Sequence, residues 1–350
     1  MIMTRITALS LYSGGLDSIL ATRVVMAQGV KVIAVKFVSP FFHYEILRDV
    51  DGYARTVREK YGIEVLVEDI SVPYLEMLRN PTYGYGRNFN PCVDCKIFMV
   101  ARAKEMLGEL GASFLISGEV LGQRPMSQRR DTLNVISRDS DSRSLLLRPL
   151  CAKLMTPTLA EEQGWVDRDK LLNISGRGRA RQIALAKEFG ISDFPAPAGG
   201  CTLADPILSR RIRNFYDDTF AVKSADMTVT DILLLLVGRQ FQLPGGGWLM
   251  LGRDEKDNDK LLALAEDGDA VVGMEERPGP VALLRRAATC YRDEAVRRAD
   301  LRAAAALVVR YGKKPKDGPA AAEVICSLAG ERQVIVTEPL ADEISRGWML

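Results

Sequence analysis

Ser13-Gly14-Gly15-Leu16-Asp17-Ser18 has the residue types and order needed to hold a polyphosphate. It follows an apolar run at residues 6–12 that reads as a buried strand, and it opens a helical pattern over residues 17–28. Two adjacent glycines let the backbone turn tightly and approach an anion with no Cβ in the way. The helix N-terminus that follows offers unpaired N–H groups and the positive end of its dipole. Ser13 and Ser18 add hydroxyl donors, and Asp17 can hold the magnesium that accompanies a polyphosphate. A plain strand-to-helix turn needs one capping residue, not the whole hexapeptide. No Gly-x-x-x-x-Gly-Lys-Ser/Thr sequence occurs, so a Walker-type site is excluded.

The second reactive group is sulfur. Asn90-Pro91-Cys92-Val93-Asp94-Cys95-Lys96 places a Cys-x-x-Cys at the start of a helical pattern, where a helix N-terminus stabilises thiolates for nucleophilic attack or metal binding. Cys201 follows Pro195-Ala196-Pro197-Ala198-Gly199-Gly200, a stretch that forces a turn and leaves the thiol accessible. These three cysteines have the number and placing for a 4Fe–4S cluster with one iron free for external sulfide. A persulfide on Cys201, with Cys92 or Cys95 as resolving thiol, is the other form of the same chemistry. A structural zinc site needs four ligands, and the chain has one histidine, His43. Cys151, Cys290 and Cys326 stand alone and read as structural.

The elements that must position these groups alternate. Strands are expected at residues 6–12, 32–37, 65–70 and 114–117, and helices at 17–28, 45–61 and 96–110. That alternation predicts an α/β domain with a parallel sheet, whose ligands bind at the carboxyl ends of the strands. After about residue 205 the pattern becomes α+β: a hairpin over 233–251, a helix from 254, a strand pair near 271 and 281, and a helix over 293–309. The expected domains are 1–209 and 226–350.

Between residues 277 and 316, eleven arginines and lysines face three acidic residues, Asp293, Glu294 and Asp300. The basic set runs from Arg277 through Arg285, Arg286, Arg292, Arg297, Arg298, Arg302, Arg310, Lys313 and Lys314 to Lys316. Such a surplus suits a phosphate backbone. Arg177, Arg179 and Arg181, on a glycine-broken helix start, read as a second RNA-contacting surface.

The phosphate loop resembles the signature of the PP-loop ATP pyrophosphatase superfamily, Ser-Gly-Gly-x-Asp-Ser. The resemblance implies an adenine nucleotide alpha hydrolase-like fold, ATP as substrate, and adenylation of a substrate oxygen with release of pyrophosphate. It also implies that Val35, Lys36 and Phe37 lie beside the adenine. Ser117-Gly118-Glu119-Val120-Leu121-Gly122-Gln123, with Ser127-Gln128 beyond, is similar to a segment of tRNA 4-thiouridine synthetases, which puts Gly118 and Gln123 at the nucleotide. Arg148-Pro149-Leu150 resembles that family's Arg-Pro-Leu strand, and Cys201 falls where the family carries its catalytic cysteine. Asn90-Pro91-Cys92 is similar to tRNA 2-thiouridylases. The segment from Trp248 to Leu261, including Gly252-Arg253-Asp254, resembles NFACT-R-type RNA-binding domains, with aspartate at 254 in place of asparagine.

These resemblances imply ATP-dependent thiolation of a uridine in tRNA, with sulfur supplied by a cysteine desulfurase or inorganic sulfide. Because the loop begins at Ser13, no N-terminal RNA-binding extension is expected, nor is a rhodanese-like sulfur carrier. The rival readings are ATP-dependent amidation or amine ligation, and a catalytically silent RNA-binding protein.

Bulk composition is consistent with this. The 350 residues are 47% apolar and 26% charged, with a net charge of +2, so whole-molecule electrostatics names no partner. No apolar stretch approaches the ~18 residues of a membrane span. A cytoplasmic protein is expected, with its six cysteines reduced.

Overall fold

The computed structural model describes residues 6–86, 88–196, 201–314 and 320–350. Residues 197–200 of the stretch before Cys201, and Lys316, therefore lie outside the described residues. The chain divides into two compact units, one ending at Ala204 and the other starting at Asp205. Among the described residues no helix is long and apolar enough to cross a membrane.

In the first unit β1 (Thr7–Leu11), β2 (Lys31–Val38), β3 (Glu64–Asp69), β4 (Phe114–Ser117) and β5 (Leu146–Leu147) form a parallel sheet in the order β3-β2-β1-β4-β5. Helices α1 (Leu16–Met26), α2 (Val50–Tyr61), α3 (Ser71–Arg79), α4 (Cys92–Glu109), α5 (Arg130–Asp139), α6 (Leu159–Glu162) and α7 (Ala180–Glu188) connect and follow the strands. β4 is buried at every position, as a strand covered on both faces must be. The chain runs outward from β1 through β2 to β3, then returns to add β4 on the other side of β1. That reversal makes a crevice at the carboxyl ends of β1 and β4, where Leu11 stands in register with Ser117.

Two expectations change. Residues 45–61 are not one helix: a 3-10 turn over Tyr44–Arg48 comes first, and Asp49 then caps α2 by accepting from the Gly52 amide at 2.9 Å. α4 begins at Cys92, so both cysteines of the Cys-x-x-Cys lie in its first turn.

In the second unit β6 (Arg239–Gln242), β7 (Trp248–Leu251), β8 (Ala270–Gly273), β9 (Ala282–Leu284), β10 (Ala322–Leu328) and β11 (Glu331–Thr337) form an antiparallel sheet ordered β11-β10-β8-β9-β7-β6. The helices are α8 (Pro206–Tyr216), α9 (Val229–Leu235), α10 (Glu255–Leu264), α11 (Glu294–Tyr311) and α12 (Asp342–Trp348). α11 buries Leu301, Ala304, Ala305, Leu307 and Val308 in the same core as Leu249, Leu251 and Leu284 of the sheet. Trp248 is fully buried, with Phe215 and Phe220 at 5.0 and 5.3 Å between ring centroids. Truncating such a ring costs about 3–5 kcal/mol.

The expected hairpin over 233–251 is shorter than read. Leu233, Leu234 and Leu235 belong to α9, because Thr228 and Asp231 close a capping box that starts a helix there.

Candidate active site

The phosphate loop spans the gap from β1 to α1. Gly14 sits at φ +84°, a left-handed conformation that a side chain would strain. Gly15 is the N-cap of α1 and no side chain caps it, so the leading N–H groups remain available to an anion. Ser18 is buried and its hydroxyl donates to the Gly15 carbonyl at 2.8 Å, shaping the loop, whereas Ser13 is exposed. Val35 accepts from the Tyr12 amide at 2.9 Å, and Phe37 is buried beside it on β2. Lys36 contributes more than backbone. Its side chain is 2% exposed and its ammonium donates to the Ser13 carbonyl, while burial pushes its pKa down to about 8.

The segment after β4 closes onto this loop. A Cβ at Gly118 would sit 2.6 Å from the Ser18 amide nitrogen, so only glycine permits the approach. Gln123 donates through Nε2 to Asp17 Oδ2 at 2.5 Å, and its Oε1 accepts from Gln182 Nε2 at 2.8 Å. Gln182 on α7 is fully buried and was missed by sequence reasoning, which saw an ordinary polar position on a helix. Asp17 Oδ1 is buried with no hydrogen-bond partner. An orphaned carboxylate oxygen beside an anion-binding loop fits magnesium, a hard cation held by one or two carboxylates and by phosphate oxygens.

Glu119 ties this segment to α4. It is buried, accepts from Arg148 Nε at 3.0 Å and has Lys96 Nζ at 3.8 Å. Burial would raise its carboxyl, but Arg148 and Lys96 outweigh that and hold it below its ordinary value.

The three cysteines form one electrostatic group. Cys92 donates to Asn90 Oδ1 at 2.9 Å. The segment bearing Cys201 is anchored by Thr202, whose amide and hydroxyl donate to the Phe41 carbonyl at 3.3 and 3.1 Å. Asn88 Nδ2 adds a bond to the Ala204 carbonyl at 2.6 Å. The Tyr74 hydroxyl, 1% exposed, faces the Cys95 thiol, yet no hydrogen bond of good geometry reaches its oxygen.

The expectation of lowered thiol pKa values is overturned. Burial raises Cys92 and Cys95, and raises Cys201 to about 12, with repulsion from Cys95 and Cys92 adding to the last. Lys96 and Arg124 oppose the shift at Cys92 without reversing it. Among the described residues no three His, Cys, Asp or Glu side chains are grouped so as to hold a metal ion. Cys92, Cys95 and Cys201 as described therefore do not form a 4Fe–4S ligand set, and no chemistry is derived through one.

The basic residues separate sharply. Arg285 was expected on an RNA surface but is fully buried, paired with Asp231 at 2.7 Å and with Asp269 and Glu266 at 2.9 Å. A guanidinium so enclosed cannot reach a phosphate backbone. Arg286 pairs with Asp231, Arg297 and Arg298 with Glu294, Arg310 with Asp342, and Arg253 with Asp257. Arg292, Arg302, Lys313 and Lys314 are exposed and carry no ion pair among the described residues. In the first unit Arg177 is exposed, and Arg181 spends both terminal nitrogens on Asn173. Arg179 instead has Nη2 4.0 Å from Asp17 Oδ2.

Comparison with known proteins gives each unit a relative. Residues 3–154 match the family described as thiamine biosynthesis protein (ThiI), and residues 238–349 match the NFACT protein RNA binding domain. The chain thus carries a ThiI-family domain followed by an NFACT-type RNA-binding domain. A "Probable tRNA sulfurtransferase" of Thermococcus kodakarensis is 29% identical over 132 residues, 38% of this chain and 34% of the relative. A tRNA sulfurtransferase of Marinobacter nauticus is 32% identical over 151 residues, 42% of this chain and 29% of the relative. The chain therefore spans about a third of the length of these curated relatives. A 4-thiouridine synthetase solved with RNA and ATP aligns at TM-score 0.37 and 22% identity, covering 54% of this chain and 42% of that one, too loosely to argue from.

Proposed function

We propose that this chain thiolates a uridine in tRNA at the expense of ATP. One observation carries the reading: the segment after β4 serves both chemistries. Gly118 and Gln123 lock onto the phosphate loop, while Glu119 draws Lys96 of α4 and Arg124 acts on Cys92. An amidation or ligation enzyme would need the first half of that arrangement and leave the thiols idle.

The polyphosphate lies on Ser13–Ser18 against the α1 N-terminus, with Lys36 beneath. Magnesium, when bound, neutralises phosphate charge, and Asp17 Oδ1 is the protein oxygen left for it. The target base must leave its stack for its carbonyl to be reached. The uridine oxygen attacks the α-phosphorus, and pyrophosphate departs with the bridging oxygen. The outer sulfur of a Cys201 persulfide attacks the activated carbon, and AMP leaves with the former carbonyl oxygen. Cys92 or Cys95 then attacks Cys201 Sγ, which releases the thiocarbonyl and leaves a disulfide for an external thiol to reduce. Because all three thiols sit above their ordinary pKa, each must lose its proton to an acceptor during the step. A cysteine desulfurase or inorganic sulfide loads the persulfide, and a reducing cytoplasm suits the reset. The exposed Arg292, Arg302, Lys313 and Lys314 of the second unit supply salt-dependent affinity for the RNA backbone.

The test is mass spectrometry of tRNA nucleosides from cells lacking the protein, complemented with wild type or Cys201→Ser. Wild type should restore 4-thiouridine or 2-thiouridine, and Cys201→Ser should not, although it still releases pyrophosphate. Full thiolation by Cys201→Ser would sink the sulfur chemistry.

A further inference from the structure

Arg179 was read from sequence as an RNA contact, and its surroundings point elsewhere. The segment carrying it is fastened to the nucleotide crevice: the Gly176 amide donates to the Leu121 carbonyl at 2.8 Å, and Leu121 and Ser175 form a parallel bridge. From the same segment Gln182 holds Gln123, which holds Asp17. We propose that Arg179 is a ligand of the ATP polyphosphate, binding its β and γ phosphates and then the departing pyrophosphate. The inference rests on the ATP reading above.

Three features support it. Arg179 lies 4.0 Å from Asp17 Oδ2, whereas a guanidinium–carboxylate pair closes to about 2.8 Å when the two are made for each other. That oxygen is already taken by Gln123 at 2.5 Å. The guanidinium makes no hydrogen bond among the described residues, so its five N–H donors are uncommitted at the edge of an anion-binding loop. A cation on Asp17 would repel the guanidinium from the carboxylate and favour the phosphate oxygens instead. Neither neighbour is equivalent, because Arg181 is consumed by Asn173 and Arg177 is exposed.

The experiment titrates the full-length protein calorimetrically with ATP–magnesium, pyrophosphate and AMP, and separately measures tRNA affinity. Failure of the wild type to bind ATP overturns the ATP reading, and this inference with it. Given wild-type binding, Arg179→Gln should weaken ATP and pyrophosphate by about 10–100-fold, the worth of one or two charged hydrogen bonds. Affinity for AMP and tRNA should stay within about two-fold, because neither ligand presents the polyphosphate end that the guanidinium grips. Arg179→Lys should recover part of the pyrophosphate affinity, which a purely structural arginine would not. Unchanged ATP binding by Arg179→Gln overturns the inference while leaving the ATP reading standing. Equal losses for ATP, pyrophosphate and AMP, or a loss confined to tRNA, also overturn it.

Discussion

Arg285 in the second unit and Asp17 in the first are both held by side chains far away in sequence, but the charges around them are balanced differently. Arg285 has three carboxylates within 2.9 Å, and Nη2 alone of its nitrogens is left without an acceptor. Asp17 has one neutral amide on Oδ2, a guanidinium held off at 4.0 Å, and nothing on Oδ1. The first arrangement is nearly closed and has no access to solvent, so removing a partner strands a buried charge and damages the fold. The second is open on the side where the loop faces outward, so what it lacks is supplied by a ligand. A matched hub stabilises; an unmatched one next to an anion site binds.

That contrast can be broken at either end. Asp17→Ala should lower RNA-dependent pyrophosphate release by about a thousand-fold, while denaturant unfolding moves little, because a partly exposed carboxylate carries little packing. Retained turnover would mean the open hub is only a loop contact. Asp231→Ala should do the reverse. It should cost the second unit about 3–5 kcal/mol in a urea titration, because Arg285 and Arg286 both lose their partner. A change under about 1 kcal/mol would show that the matched hub is incidental.

Gly118→Ala sharpens the comparison with a smaller change. The new methyl meets backbone of Ser18 and Asp17, which cannot swing aside as a side chain can. An overpacking cost of about 1–3 kcal/mol should appear mainly as weaker ATP binding, since the strain falls on the loop. Calorimetry with ATP matching wild type would show that the loop yields freely.

The smallest effect concerns Cys201. With its pKa near 12, alkylation by iodoacetamide at pH 8 should be slower than for a free thiol, and should still be rising at about pH 10. A plateau near pH 8.5 would mean the thiol is already activated.

What could be read from the sequence follows the same division. The phosphate loop was legible because its chemistry is contiguous: strand end, glycines, aspartate and helix start occupy consecutive residues. Gln182 was not, since its partner Gln123 is 59 residues away and that residue's partner Asp17 a further 106. Counting charges over 277–316 overstated the free basic surface, because the acids that neutralise Arg285 are at 231, 266 and 269, outside the window. The thiol expectation failed for a related reason. Helix position is visible in a local pattern, but burial by distant aromatic neighbours such as Tyr74 is not. The leucines at 233–235 were misassigned although the Thr228–Asp231 capping signal was in plain view.

The pairing of β1 with β4 also sets an order of events during synthesis. β10 and β11 close on each other across Ala329 and Gly330, a local hairpin of the kind that forms within microseconds. β1 must wait for a partner about a hundred residues downstream, and parallel pairing of that reach is slow. Ribosomes emit roughly 5–20 residues per second, so several seconds pass before Gly118 can seat against Ser18, and several more before Gln182 reaches Gln123. Throughout that interval the apolar first strand is exposed with its neighbours missing. A nascent chain of this protein is therefore expected to need a holdase while its nucleotide loop, the earliest functional element made, is among the last to be locked.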